Sequence, residues 1–146
     1  MGAIGEGGVR VLNDEVLRAA HVSDEQLHAV EAREREELAR RARQYRGERP
    51  ALPLADRTVV VVDDGLATGS TARAAVRVVR ALSARRIVLA VPVAPPETLD
   101  SLREEVDEIV CLEAPEHLFA VGQWYGDFRP TSDAEVIGLL QASASS

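Results

Sequence analysis

Four consecutive valines, Val59 to Val62, run directly into Asp63 and Asp64, and the residues that follow, Gly65-Leu66-Ala67-Thr68-Gly69-Ser70-Thr71, carry very little bulk. A β-branched apolar run without alternation suits a strand buried on both faces, as parallel strands between helix layers are. Downstream, Ala75, Val78, Val79 and Leu82 recur at helical spacing and predict an amphipathic helix with that stripe turned inward. The unit is strand, short loop, helix.

In open α/β sheets, ligands sit in the crevice outside the carboxyl ends of the strands, which is where Asp63 and Asp64 fall. The small residues Ala67 to Thr71 leave their backbone N–H groups able to wrap a small anion, and a helix starting near Ser70 adds its positive end. Phosphate is the natural guest. Adjacent carboxylates repel a phosphate, so the two acids must face another part of the ligand, and paired hydroxyls are what carboxylates accept hydrogen bonds from. A ribose 5-phosphate meets both demands.

Rival motifs fail on the same residues. A Walker A loop needs Gly-Lys-Ser/Thr, yet every cationic side chain other than histidine is arginine, which also removes Schiff-base chemistry. A dinucleotide fingerprint needs Gly-x-Gly-x-x-Gly after the strand, and Asp63-Asp64-Gly65 does not supply it. A receiver-type phosphoacceptor shares the paired acids but also uses a lysine.

An apolar strand, Asp-Asp, three residues and Thr-Gly-Ser-Thr resembles the 5-phosphoribosyl-1-pyrophosphate (PRPP) motif of the type I phosphoribosyltransferases. The resemblance implies an α/β fold, a Rossmann-like parallel sheet flanked by helices with a small C-terminal hood. It implies that Asp63 and Asp64 are the catalytic acids on the ribose hydroxyls, that Ala67, Thr68, Gly69, Ser70 and Thr71 cradle the 5-phosphate, and that magnesium arrives bound through PRPP, with no metal ligand assigned to the protein. The implied activity is transfer of phosphoribose to a nitrogenous base, as in nucleotide salvage. A non-catalytic PRPP- or nucleotide-sensing module, or an inert fragment, is the competing expectation.

The 146 residues, 46% apolar and 28% charged, suit a single domain. Within it, 1–22 reads as a mobile Gly-rich arm, 57–113 as the PRPP-binding core and 114–140 as the hood. A net charge of -7 argues against nucleic acid as a partner. Lone Cys111 cannot form an intrachain disulfide, and neither a secretory h-region nor a membrane-length apolar stretch is present, so a cytoplasmic location and no membrane partner are expected. A helix is predicted from the capping box Ser23/Gln26 to Gly47, with a thin stripe of Leu27, Val30, Leu38 and Tyr45. Glu31–Arg35, Glu36–Arg40 and Glu37–Arg41 pairs lie on its other faces, each worth roughly 0.3 kcal/mol. Arg40, Arg41, Arg43, Arg46 and Arg49 near its end could meet a pyrophosphate. Further strands are predicted at Arg86 to Val93 and Glu108 to Leu112, with a helix from about Glu97 to Val106 between them.

Most of the chain's aromatics fall between Glu116 and Arg129, outside any periodic pattern. Purine-salvage phosphoribosyltransferases carry a similar Phe-x-Val-Gly, aromatics and Phe-Arg, which implies Phe119, Trp124, Tyr125 and Arg129 on the acceptor or pyrophosphate side. Residues after Leu140 are expected to fray. Type I members place an apolar strand and a pyrophosphate-binding loop ahead of the Gly-rich segment, whereas here that segment starts at Gly2. The resemblance therefore implies an N-terminally truncated member with little transferase activity, an open sheet edge and a tendency to form homo-oligomers.

Overall fold

The computed structural model describes residues 2–5, 9–12, 18–21, 23–47 and 50–144. Strands β1 (Gly2–Ile4) and β2 (Arg10–Leu12) pair antiparallel, with Gly2 opposite Leu12. Residues 2–5 and 9–12 of the Gly-rich arm thus belong to a hairpin, residues 18–21 form a helical turn, and Gly7 and Gly8 lie outside the described residues. Gly5 abuts the helix after the signature loop so closely that a Cβ would overlap Cγ1 of Val78.

Helix α1 (Asp24–Arg46) begins at the expected capping box: Ser23 Oγ accepts from Gln26 N–H at 3.2 Å, and Gln26 Oε1 accepts from Ser23 N–H at 3.0 Å. It ends at Gly47, φ 65°. Of its expected ion pairs Glu37–Arg41 forms, whereas Glu31 and Arg40 take other partners. Glu31 is 7% exposed and reaches across to Arg10 at 2.8 Å instead of along the helix to Arg35, because its face turns toward the hairpin and a buried carboxylate must be paired. Glu37 takes both Arg40, at 2.8 Å, and Arg41, at 2.7 Å. Those guanidinium hydrogen bonds, Arg40's first, hold its carboxyl down at about 2. Arg49 lies outside the described residues.

Strands β3 (Thr58–Val62), β4 (Arg86–Val93) and β5 (Glu108–Glu113) form a parallel sheet in the order β3-β4-β5. Their register sets Val60 opposite Val88 and Ala90 opposite Val110. Helices α2 (Ser70–Ala81) and α3 (Pro96–Leu102) connect them and cover one face. On that face Val59, Val61, Ile87, Leu89, Val91, Ile109 and Cys111 meet Ala72 and Val76 of α2 and Leu99 and Leu102 of α3. Ile87, Leu89, Leu102, Val76 and Val93 are fully buried, each worth about 1.5–3 kcal/mol.

The valine run is not buried on both faces. Side chains alternate across a strand, so Val60 and Val62 point to the other side, where they are 55% and 73% exposed together with Val110 and Leu112 at 42% and 75%. The stripe on α2 differs in part from expectation: Ala72 and Val76 face the sheet and Val79 packs against the same core, whereas Ala75, Val78 and Leu82, with Val79 at the margin, border a cavity of about 840 Å³ shared with Leu38, Tyr45 and Leu54. Helix α3 stops at Leu102, short of Val106, because tight turns follow (Arg103 N–H to Asp100 O, 3.3 Å; Glu105 N–H to Leu102 O, 3.0 Å) and swing Val106 under the sheet.

The chain then makes a 3-10 turn (Val121–Trp124) and helix α4 (Asp133–Ala144), which runs past Leu140 as far as Ala144, while the last two residues of the tail expected to fray lie outside the described residues. Asp133 ties α4 to α1 by accepting from Gln44 Nε2 and the Tyr45 hydroxyl, both at 2.7 Å.

Candidate functional site

Beyond Val62 the chain leaves the strand but stays bonded to β4: Asp63 N–H reaches Ala90 O at 3.4 Å and Leu66 N–H reaches Val93 O at 3.0 Å. Four residues are thereby fixed in space. Asp63 is half-buried and its Oδ1 accepts the backbone N–H of Asp64 at 3.0 Å, while Asp64 is exposed. Gly65 is needed for close approach, since a Cβ there would lie 2.7 Å from Val121 Cγ1 and 2.9 Å from Val93 Cγ1.

Leu66 is buried at 2% and anchors the loop, whereas Ala67, Thr68, Ser70 and Thr71 are exposed. Gly69 is the buried N-cap of α2 at φ 70°, a left-handed conformation that suits glycine, and it gives no side-chain cap to the helix start. No acidic residue stands in the first turn. The positive end of α2 and its leading N–H groups therefore face the loop without a competing carboxylate. Thr68 Oγ1 and Ser70 Oγ stand 3.1 Å apart at the start of α2. Thr71 also borders the apolar cavity.

The loop has a built back wall. Thr98 of α3 donates its hydroxyl to Ala67 O at 2.9 Å, and Ser101 Oγ donates to Thr98 O at 2.8 Å. Arg73, two residues past Thr71, donates to Ser101 O at 3.1 Å, to Ser101 Oγ at 3.0 Å and to Glu105 Oε1 at 2.6 Å. Arg77 joins Glu105 Oε2 at 2.9 Å. Nothing in the sequence marks Thr98, because its partner is a backbone carbonyl 31 residues away.

Of the four hood residues, Tyr125 comes to the acids: its hydroxyl donates to the Asp64 carbonyl at 2.6 Å, and its ring packs on Phe128 with centroids 5.0 Å apart. Trp124 beside it is 46% exposed and Phe119 is 88% exposed. Arg129 forks onto Asp127, at 2.6 Å for its shortest bond, and that guanidinium holds the Asp127 carboxyl below its usual range.

A parallel strand ending in two acids, a small-residue loop and an uncapped helix start define an α/β protein with a loop-and-helix junction at its sheet edge. The family model described as "Phosphoribosyl transferase domain" matches residues 12–125, and the chain belongs to that family. Two Mycobacterium tuberculosis proteins, from strains CDC 1551 / Oshkosh and H37Rv and each carrying the name "Putative phosphoribosyl transferase", are 50% identical to it over 139 residues. The match takes in 95% of this chain and 31% of each relative, so the chain spans about a third of their length. The crystal structure of TT1426 from Thermus thermophilus is similar at a TM-score of 0.82 and 41% identity, over 95% of this chain and 65% of that one.

Proposed function

We propose that the chain binds PRPP or a nucleoside 5′-monophosphate, with the 5-phosphate in Ala67 to Thr71 and the ribose hydroxyls on Asp63 and Asp64, and that it transfers phosphoribose to a nitrogenous base. The observation that carries this reading is the junction itself: two acids at a strand end, then a left-handed glycine opening a helix that has no side-chain cap and no acid in its first turn. In the transfer, the bond from C1 to pyrophosphate oxygen breaks as a bond from C1 to the base nitrogen forms, and positive charge grows on the sugar. Catalysis of that kind comes from positioning and charge stabilisation, which Asp63 and Asp64 would supply. The Tyr125 hydroxyl is committed to Asp64, so Trp124 is the ring offered for stacking on a base, with Phe119 and Arg129 toward the acceptor or pyrophosphate side.

Two adjacent carboxylates suit magnesium, a hard cation met through one or two carboxylates while substrate phosphates supply further oxygens. Bound through PRPP, the ion would neutralise pyrophosphate charge. We place this activity in cytoplasmic nucleotide salvage, on the family likeness and the single unpaired Cys111, and expect a homo-oligomer. Among the described residues no helix is long and apolar enough to cross a membrane.

Binding without transfer is the second reading. It is favoured by the arginines around the site, since Arg73 and Arg77 are engaged by Glu105 and Arg129 by Asp127 instead of facing a leaving group. Calorimetry with ribose 5-phosphate tests the shared part: binding is expected to the native chain and to be lost in Thr68→Val and Gly69→Val. Unchanged binding in both would remove the loop assignment. Pyrophosphate release from PRPP across purine and pyrimidine bases then separates transfer from binding alone.

A further inference from the structure

Thr98 stands outside the signature, on a different helix, yet it touches the signature loop at the point where its shape is decided. A peptide group is planar and trans, so the carbonyl of one residue and the N–H of the next point in opposite directions. The Thr98 hydroxyl holds the Ala67 carbonyl toward α3 at 2.9 Å, which turns the Thr68 N–H away from α3. Released from that bond, the Ala67–Thr68 peptide could rotate and present its carbonyl, which repels an anion, in place of its N–H.

The same side chain supports the next residue. A Cβ on Gly69 would lie 3.0 Å from Thr98 Cγ2 and 3.1 Å from Leu102 Cδ1, so the Thr98 methyl packs directly beneath the left-handed glycine. Thr98 is itself 9% exposed, and its carbonyl accepts from Ser101, whose hydroxyl meets Arg73 of the loop's own helix. Loop, α3 and the first turns of α2 are thereby closed into one ring of hydrogen bonds.

We propose that Thr98 is a positioning residue for anion binding: through the Ala67 carbonyl it orients the Thr68 N–H into the cradle. This rests on the phosphate reading of the loop given above. Because Thr98 acts on the phosphate end, its loss should weaken ribose 5-phosphate and inorganic phosphate by the same factor.

Calorimetric titration of both ligands into the native chain, Thr98→Val, Thr98→Ala and Thr98→Ser, with circular dichroism confirming the fold of each, is the test. The two variants without a hydroxyl are expected to bind each ligand about 3- to 10-fold more weakly, as loss of a neutral hydrogen bond implies, and Thr98→Ser to bind close to the native chain. Native affinity in a folded Val or Ala variant overturns the proposal, and so does a Ser variant as weak as Ala, which would assign the effect to the methyl that both lack. If the native chain binds neither ligand, the phosphate reading falls and this inference with it. Should Thr98→Val fail to fold, the contrast between Ala and Ser decides.

Discussion

The side chains of Asp63 and Asp64 do different work. The Asp63 carboxylate already accepts the Asp64 N–H, which braces the turn, while the exposed Asp64 side chain is held from behind by Tyr125 on its carbonyl. Replacing either acid by Asn is expected to weaken ribose 5-phosphate by roughly one to two decades, the 1.5–3 kcal/mol of a hydrogen bond to a charged group, and to leave inorganic phosphate binding unchanged. Parallel titration of the two ligands checks this, and equal losses would reduce the acids to a role in the fold. At this scale the sequence was most informative where chemistry and chain order coincide: Asp63, Asp64 and the five loop residues lie close together, separated only by Gly65 and Leu66, so the motif carries its own geometry. Thr98 and the Tyr125 hydroxyl were illegible because each meets a backbone carbonyl far away in sequence, and a carbonyl leaves no residue-type signal.

Elements were legible where local rules act alone. The Ser23/Gln26 box and Gly47 bracket α1 as predicted, since both ends are satisfied by neighbours within the helix. Helix α4 was overlooked although Ser132 and Glu135 form a second capping box, with the Ser132 N–H on Glu135 Oε2 at 2.8 Å. Glu31 turns from Arg35 because tertiary packing offers it a cation outside its helix, Arg10 of β2. The parallel sheet is locked at its base by Asp107, whose Oδ2 accepts the Ile87 N–H of β4 at 2.7 Å and Arg80 of α2 at 3.1 Å. The Ile87 bond foremost, then Arg80, holds that carboxyl below its ordinary value. A depressed folded-state value means stability present above the unfolded carboxylate range of about 4 and lost as pH falls through the folded value. Thermal midpoints are expected to be level from pH 7 to about 5 and to drop below about 4. Asp107→Asn should start lower at pH 7 and lose less on acidification, whereas an unaltered acid slope would exclude Asp107 as a contributor.

At the scale of the molecule, among the described residues, one face of the three-stranded sheet is packed and the other is bare. Val60, Val62, Val110 and Leu112 form an apolar patch beside β3, which is an edge strand among the described residues. Bare parallel sheets and open edges seek a cover. Light scattering is expected to give a mass above the 15.8 kDa of one chain, and Val62→Glu with Leu112→Glu should return it toward that value. A monomeric native chain would refute the prediction. The run Val59 to Val62 could not disclose this, because a four-valine strand reads the same whether or not anything lies over its second face. The aromatic segment around Trp124, finally, gives the protein an optical property. Trp124 is its single tryptophan, half exposed, and the next residue is hydrogen-bonded to the acid pair. Ultraviolet emission excited at the red edge of protein absorbance therefore originates from one address, a single bond along the backbone from the residue that grips Asp64, and events at that junction can be followed by colour without attaching a dye.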